Sequence, residues 1–71
     1  MSDWCREQRL AWIAEMLAIY GFINREHLQR KFRISQPQAS HDLRMFQAAH
    51  DGQVRYDLSR KCYVSTIKES D

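Results

Sequence analysis

Five side chains within nine residues have the chemistry to read the edges of nucleic-acid bases: Gln36, Gln38, Ser40, His41 and Arg44. A glutamine amide matches the N6 and N7 of adenine, and a guanidinium forks onto guanine O6 and N7 or grips a phosphate. Serine and histidine hydroxyl or ring groups bond either base edges or phosphates. Around them stand groups suited to phosphate oxygens: Arg25, Arg30, Lys31 and Arg33 before the cluster, Ser35 at its start, and Arg60 and Lys61 further on. Each assignment competes with a plainer one. Gln38 has the spacing of a helix-capping residue, Arg44 has Asp42 two residues away to pair with, and His41 reads equally as a surface histidine.

Such side chains work only if rigid elements aim them. The stretch from Ile23 to Phe46 reads as two short helices with a three-residue break. Asn24 is placed to cap the first, with Ile23 and Leu28 as a hydrophobic staple across the cap. Ser35 begins the second, with Gln38 three residues later as a capping box and Ile34 just before it. Pro37 falls in the first turn, where its missing N–H costs little. Leu28, Phe32 and Ile34 share an apolar seam with Ala39, Leu43 and Phe46. Turning that seam inward sends Pro37, His41, Arg44 and Ala48 outward, with Gln38, Ser40 and Met45 on the shoulders. Two capped helices, a tight turn and a small residue at the crossing are the helix-turn-helix signature.

Upstream, a helix is expected over about 3–20, stopped by Gly21 in the left-handed conformation, with Phe22 folding back on the last turn. Leu10, Ile13, Ala14 and Leu17 recur as one buried face. Trp12, Met16 and Ile19, extended by Cys5, form a second apolar face that reads as a dimer contact, its competitor being packing beneath the C-terminal strands. Downstream, His50-Asp51-Gly52 breaks the helical period. Residues 53–57 and 61–64 are short β-branched and aromatic runs around Leu58-Ser59-Arg60, which reads as a hairpin over about 53–65. Tyr56 and Tyr63 are expected to pack that hairpin onto the core, and Lys68–Asp71 to fray. The sum is a mainly α domain with a small β-hairpin: a winged helix-turn-helix over 1–71, with helices at about 3–20, 25–32 and 36–50.

The bulk figures set bounds. Seventy-one residues make one domain, and 44% hydrophobic with 28% charged residues is ordinary for a folded one. A chain of this size buries only about 60% of its extended surface, so a partner subunit would help it. The formal charge of +2 says little by itself. Its placement says more, because residues 25–61 hold eight basic and four acidic side chains while acids outnumber bases outside that window. No apolar run is long enough for a membrane span, and the N-terminus lacks the pattern of a secretory signal. Cys5 and Cys62 have no metal-ligand spacing and are expected as reduced thiols. No metal, no cofactor and no catalytic activity is expected. There is no Gly-rich phosphate loop, nucleophile elbow or pair of carboxylates in helical register, and His27, His41 and His50 converge on nothing. The expected setting is the bacterial or phage cytoplasm, associated with the nucleoid.

The stretches Gly21-Phe22-Ile23-Asn24-Arg25, His27-Leu28, Phe32-Arg33-Ile34-Ser35, Gln38-Ala39-Ser40, Asp42-Leu43 and Tyr56 to Tyr63 together resemble the N-terminal winged helix-turn-helix of WYL-domain transcriptional regulators. That group includes phage-defence repressors of the BREX- and CBASS-associated type. More distantly, Ser35 to Leu43 looks like a DeoR-type recognition helix. The resemblance covers roughly residues 13–64. It implies a double-stranded DNA partner, a recognition helix starting at Ser35, and homodimeric repression at a palindromic operator. The family's effector-sensing WYL domain and dimerising C-terminal segment are not represented, which implies either an excised domain or a stand-alone protein dimerising through its first helix. The rival reading is a small protein-interaction winged helix, an adaptor or antagonist from a phage or mobile element, favoured by the modest charge and the spare apolar face.

Overall fold

The computed structural model describes residues 3–69, with side chains from 4 to 67. The elements run α1 (Asp3–Ile19), β1 (Phe22–Ile23), α2 (Arg25–Phe32), α3 (Gln36–Ala49), β2 (Val54–Asp57), β3 (Cys62–Ser65) and α4 (Thr66–Glu69). The three main helices and the hairpin fall where the sequence pattern puts them. Gly21 closes α1 at φ 86° and donates to the Leu17 carbonyl at 3.0 Å. A residue with a Cβ would be strained at that φ.

One buried cluster joins all layers. Ile13 and Leu17 of α1, Ile23, Leu28 of α2, and Ala39, Leu43 and Phe46 of α3 meet Val54 from the hairpin. Ile23 and Leu28, the staple pair, are both fully buried. Burying each such side chain contributes about 1.5–3 kcal/mol, so a few of them carry a large part of a small domain's stability. Ala14 is a correction: it is exposed, and Leu10 completes the inner face of α1 without it.

The break between α2 and α3 is three residues, Arg33 to Ser35, and it turns because Arg33 adopts φ 56° and ψ 45° while donating to Gln29 O at 2.8 Å. For a residue with a Cβ the left-handed region costs about 1–2 kcal/mol. Arg33→Gly is therefore expected to stabilise the domain by about 0.5–1 kcal/mol, after the entropy cost of glycine in the unfolded chain, raising the thermal midpoint by roughly 2–8 °C. An unchanged or lowered midpoint in a thermal melt would contradict this account of the turn.

The hairpin, Phe22 and the C-terminal tail depart from expectation. Gln53 lies in the turn before β2, and the hairpin gains a third strand, giving the order β1-β3-β2 with Phe22 opposite Val64 and Ile23 opposite Tyr63. Phe22 therefore enters a strand and sits tilted against His27 at 5.8 Å, where folding back on α1 was expected. The expected frayed tail is in part helical, since α4 includes Lys68 and Glu69, and Ser70 and Asp71 lie outside the described residues. Both cysteines are free, Cys5 exposed and Cys62 buried. No helix is long and apolar enough to cross a membrane among the described residues.

Candidate nucleic-acid interface

α3 presents the face its sequence promised. Pro37, His41, Arg44 and Ala48 are exposed, Gln38, Ser40 and Met45 are half-buried, and Ala39, Leu43 and Phe46 point into the core. The helix starts at Ser35, whose Oγ accepts from the Gln38 N–H at 3.2 Å. That is half of the expected capping box. The reciprocal bond is missing because the Gln38 amide reaches forward and donates to Asp42 Oδ1 at 2.9 Å. The complete box is at α2. Asn24 Oδ1 accepts from the His27 N–H at 3.0 Å, and the Asn24 N–H donates to His27 Nδ1 at 3.3 Å. A histidine acts here as an acceptor in the position usual for Glu or Gln, which is why the sequence did not announce it.

Beside α3 lies a polar cleft of about 430 Å³ bounded by Arg25 and Glu26 of α2, Ser40 and Arg44 of α3, and Tyr56, Tyr63, Arg60 and Lys61 of the hairpin. Four cations from three separate elements thus border one concave surface, which focuses positive potential more than a scattered surface charge does. Gln36 belongs to the same group. With its amide oxygen turned to Arg25 it accepts from both terminal guanidinium nitrogens at 3.2 Å. The hairpin tip holds its cations in place. The Asp57 side chain accepts from the Arg60 N–H at 3.1 Å, and Lys61 takes φ 55° to close the loop. Tyr56 and Tyr63 pack edge to face at 5.0 Å, and they also line the cleft, which the sequence reading had not assigned them. Burial raises the Tyr63 hydroxyl above its usual pKa, while the Arg44 cation pulls in the opposite direction.

The remaining sequence candidates scatter. Arg33 is exposed at the C-cap of α2 and does not line the cleft. Arg30 and Lys31 line a second hollow, an apolar one of about 480 Å³ with Trp12, Met16, Tyr20, Phe22 and His27. Lys31 Nζ stands 5.9 Å from the centre of the Trp12 ring, and Trp12 meets Phe32 edge-on at 5.7 Å. Trp12 and Met16 are therefore partly covered within the chain, and the second apolar face of α1 is less bare than its spacing suggested. Ile19 remains 52% exposed.

Sequence reasoning also passed over an internal polar cluster. Asp42 is fully buried and pairs with Arg9 of α1, through Nε to Oδ2 at 2.5 Å and Nη2 to Oδ1 at 3.3 Å. Asp42 does not pair with Arg44. The signal was present in the spacing, since Asp42 shares the inward stripe of Ala39, Leu43 and Phe46.

Three helices, a tight α2–α3 turn and a basic hairpin flanking the exposed face of α3 define a winged helix-turn-helix domain. The chain belongs, over residues 6–68, to the family described as the BrxR transcriptional regulator winged helix-turn-helix domain. It is 38% identical over 63 residues to the DNA-binding transcriptional repressor CapW of Stenotrophomonas maltophilia, covering 89% of this chain and 21% of that protein. It is 41% identical over 65 residues to the CapW repressor of Escherichia coli (strain KTE188), covering 92% of this chain and 22% of that protein. The chain thus spans about a fifth of the length of the curated relatives it matches. The family assignment agrees with the resemblance drawn from the sequence motifs.

Proposed function

We propose that this chain is a sequence-specific reader of double-stranded DNA in a transcriptional repressor, with α3 inserted in the major groove. The observation that carries the reading is the four-cation cleft between α2, α3 and the hairpin, set directly beside the exposed polar face of α3. Its relatives bear the name DNA-binding transcriptional repressor, which supports the same reading. Gln36, Gln38, Ser40, His41 and Arg44 face the bases. Arg25, Arg60 and Lys61 take phosphates, aided by the Gln36 N–H at the start of α3 beside Ser35. Arg30, Lys31 and Arg33 take a more distant phosphate or none. The domain acts by binding and not by catalysis, needs no cofactor, and works in the cytoplasm on the nucleoid.

A second copy is proposed to join through the Trp12, Met16 and Ile19 side of α1, so that a palindromic operator presents half-sites about 34–36 Å apart. The alternative, a protein-interaction winged helix, draws on the same apolar hollow.

The deciding experiment is fluorescence anisotropy with a selected duplex and its scrambled counterpart across a salt series. A preference for the selected duplex that disappears in Arg44→Ala/Gln36→Ala is the expected result. Equal, weak binding of both duplexes by the unaltered protein would remove the DNA reading and favour the interaction module.

A further inference from the structure

The structure assigns Arg9 and Asp42, neither of which faces the cleft, to a relay that fixes which hydrogen-bonding edge Gln38 presents on the recognition helix. The inference rests on the DNA-reading role proposed above for α3 and deepens it. A glutamine amide normally has two nearly equivalent orientations, with oxygen and nitrogen exchanged. Here the choice is removed. Asp42 is fully buried and held on its far side by the Arg9 guanidinium, itself only 14% exposed. Arg9 donates to both carboxylate oxygens, at 2.5 and 3.3 Å. An ionised carboxylate paired in this way accepts only. The amide beside it must therefore turn its NH2 inward, and Gln38 does so with Nε2 to Oδ1 at 2.9 Å.

The consequence falls on the outer edge. Asp42 takes one of the two amide protons, leaving Oε1 and the second N–H toward the surface from a side chain that is half-buried on the shoulder of α3. An outward carbonyl oxygen accepts from an exocyclic amine. The major groove offers that donor on adenine N6 and cytosine N4, whereas guanine O6 and thymine O4 are acceptors and would oppose it. Adenine fits both remaining groups, since its N7 accepts the second N–H. The relay also holds Gln38 in place before binding, so less freedom is lost when the base arrives. Specificity at this base pair is thus set from α1, on the far side of the recognition helix.

The test uses three proteins and duplexes permuted at each base pair of a selected site. In the unaltered protein, one position prefers adenine, which meets both remaining groups, over the other bases on the contacted strand by about tenfold, within the range usual for one base contact. Gln38→Ala should lose that preference at that position alone. Arg9→Met/Asp42→Leu, which replaces the buried ion pair with apolar groups of similar size and is expected to fold, should lose the same preference. It should keep the salt slope and the preferences at other positions, which a merely loosened fold would not. Adding Gln38→Ala to the double variant should change nothing further. If the double variant keeps the preference while Gln38→Ala loses it, Gln38 reads unaided and the relay is overturned. If Gln38→Ala keeps every preference, Gln38 is no reader and the relay is likewise overturned. An unaltered protein with no preference at any position overturns the DNA reading itself, a result distinct from either.

Discussion

Asp42→Ala is expected to cost about 3–5 kcal/mol, because removing one partner of a buried ion pair strands the other without compensation. Arg9, only 14% exposed, would lose the two bonds it makes to the carboxylate, and Gln38 would lose its one. A domain of 71 residues has roughly 4–10 kcal/mol of total stability, so the variant should lose about half of its margin and denature at a much lower urea concentration. Urea denaturation followed by circular dichroism reads this directly. Arg9→Met/Asp42→Leu separates charge stranding from lost packing, since an apolar pair of similar volume should recover most of the deficit. If Asp42→Ala shifted stability by less than about 1 kcal/mol, the pair would be a bystander at the α1–α3 junction.

The second large effect lies in the salt dependence of binding. Arg25→Ala/Arg44→Ala/Lys61→Ala removes one cation from each of the three elements that border the cleft. Arg25 and Lys61 neutralise phosphates while Arg44 reads a base, so the slope of log affinity against log salt should flatten by about 1.8, at about 0.9 per contact. Affinity at low salt should fall by several orders of magnitude, while the scrambled and selected duplexes converge. Arg30→Ala/Lys31→Ala/Arg33→Ala removes the same formal charge from outside the cleft and should flatten the slope by less than half as much. Equal flattening by the two triple variants would mean that binding senses net charge only and that the cleft has no privileged role.

The contrast between these two sets of cations marks where sequence reading ran short. All six are basic residues in the central window, and nothing in residue type distinguishes Arg25 from Arg30. Arg25 borders the cleft and holds Gln36, whereas Arg30 and Lys31 border the Trp12 hollow. Which side of a short helix faces a groove depends on the angle at which that helix packs, and that angle is a property of the assembled core.

What the sequence determined by itself was local and periodic. The caps Asn24 and Ser35, the stop at Gly21, the inward stripe of Ala39, Leu43 and Phe46 and the change of period after Gly52 each act within a few residues, so helix positions and the outward face of α3 followed from them. Even the αL turn at Arg33 sat where a three-residue break was expected, though not in a residue type that signals it. What the tertiary structure alone decided were the pairings across distance: Phe22-Ile23 joining the hairpin as a third strand, Arg9 reaching Asp42 across 33 residues, and Tyr56 and Tyr63 meeting Arg44 at one cleft. A two-residue strand has no periodicity of its own, and the inward place of Asp42, though visible in the spacing, does not say which residue pairs with it. Both exist because closing the core brings their partners within hydrogen-bond reach, where an unpaired polar group would otherwise be buried at high cost.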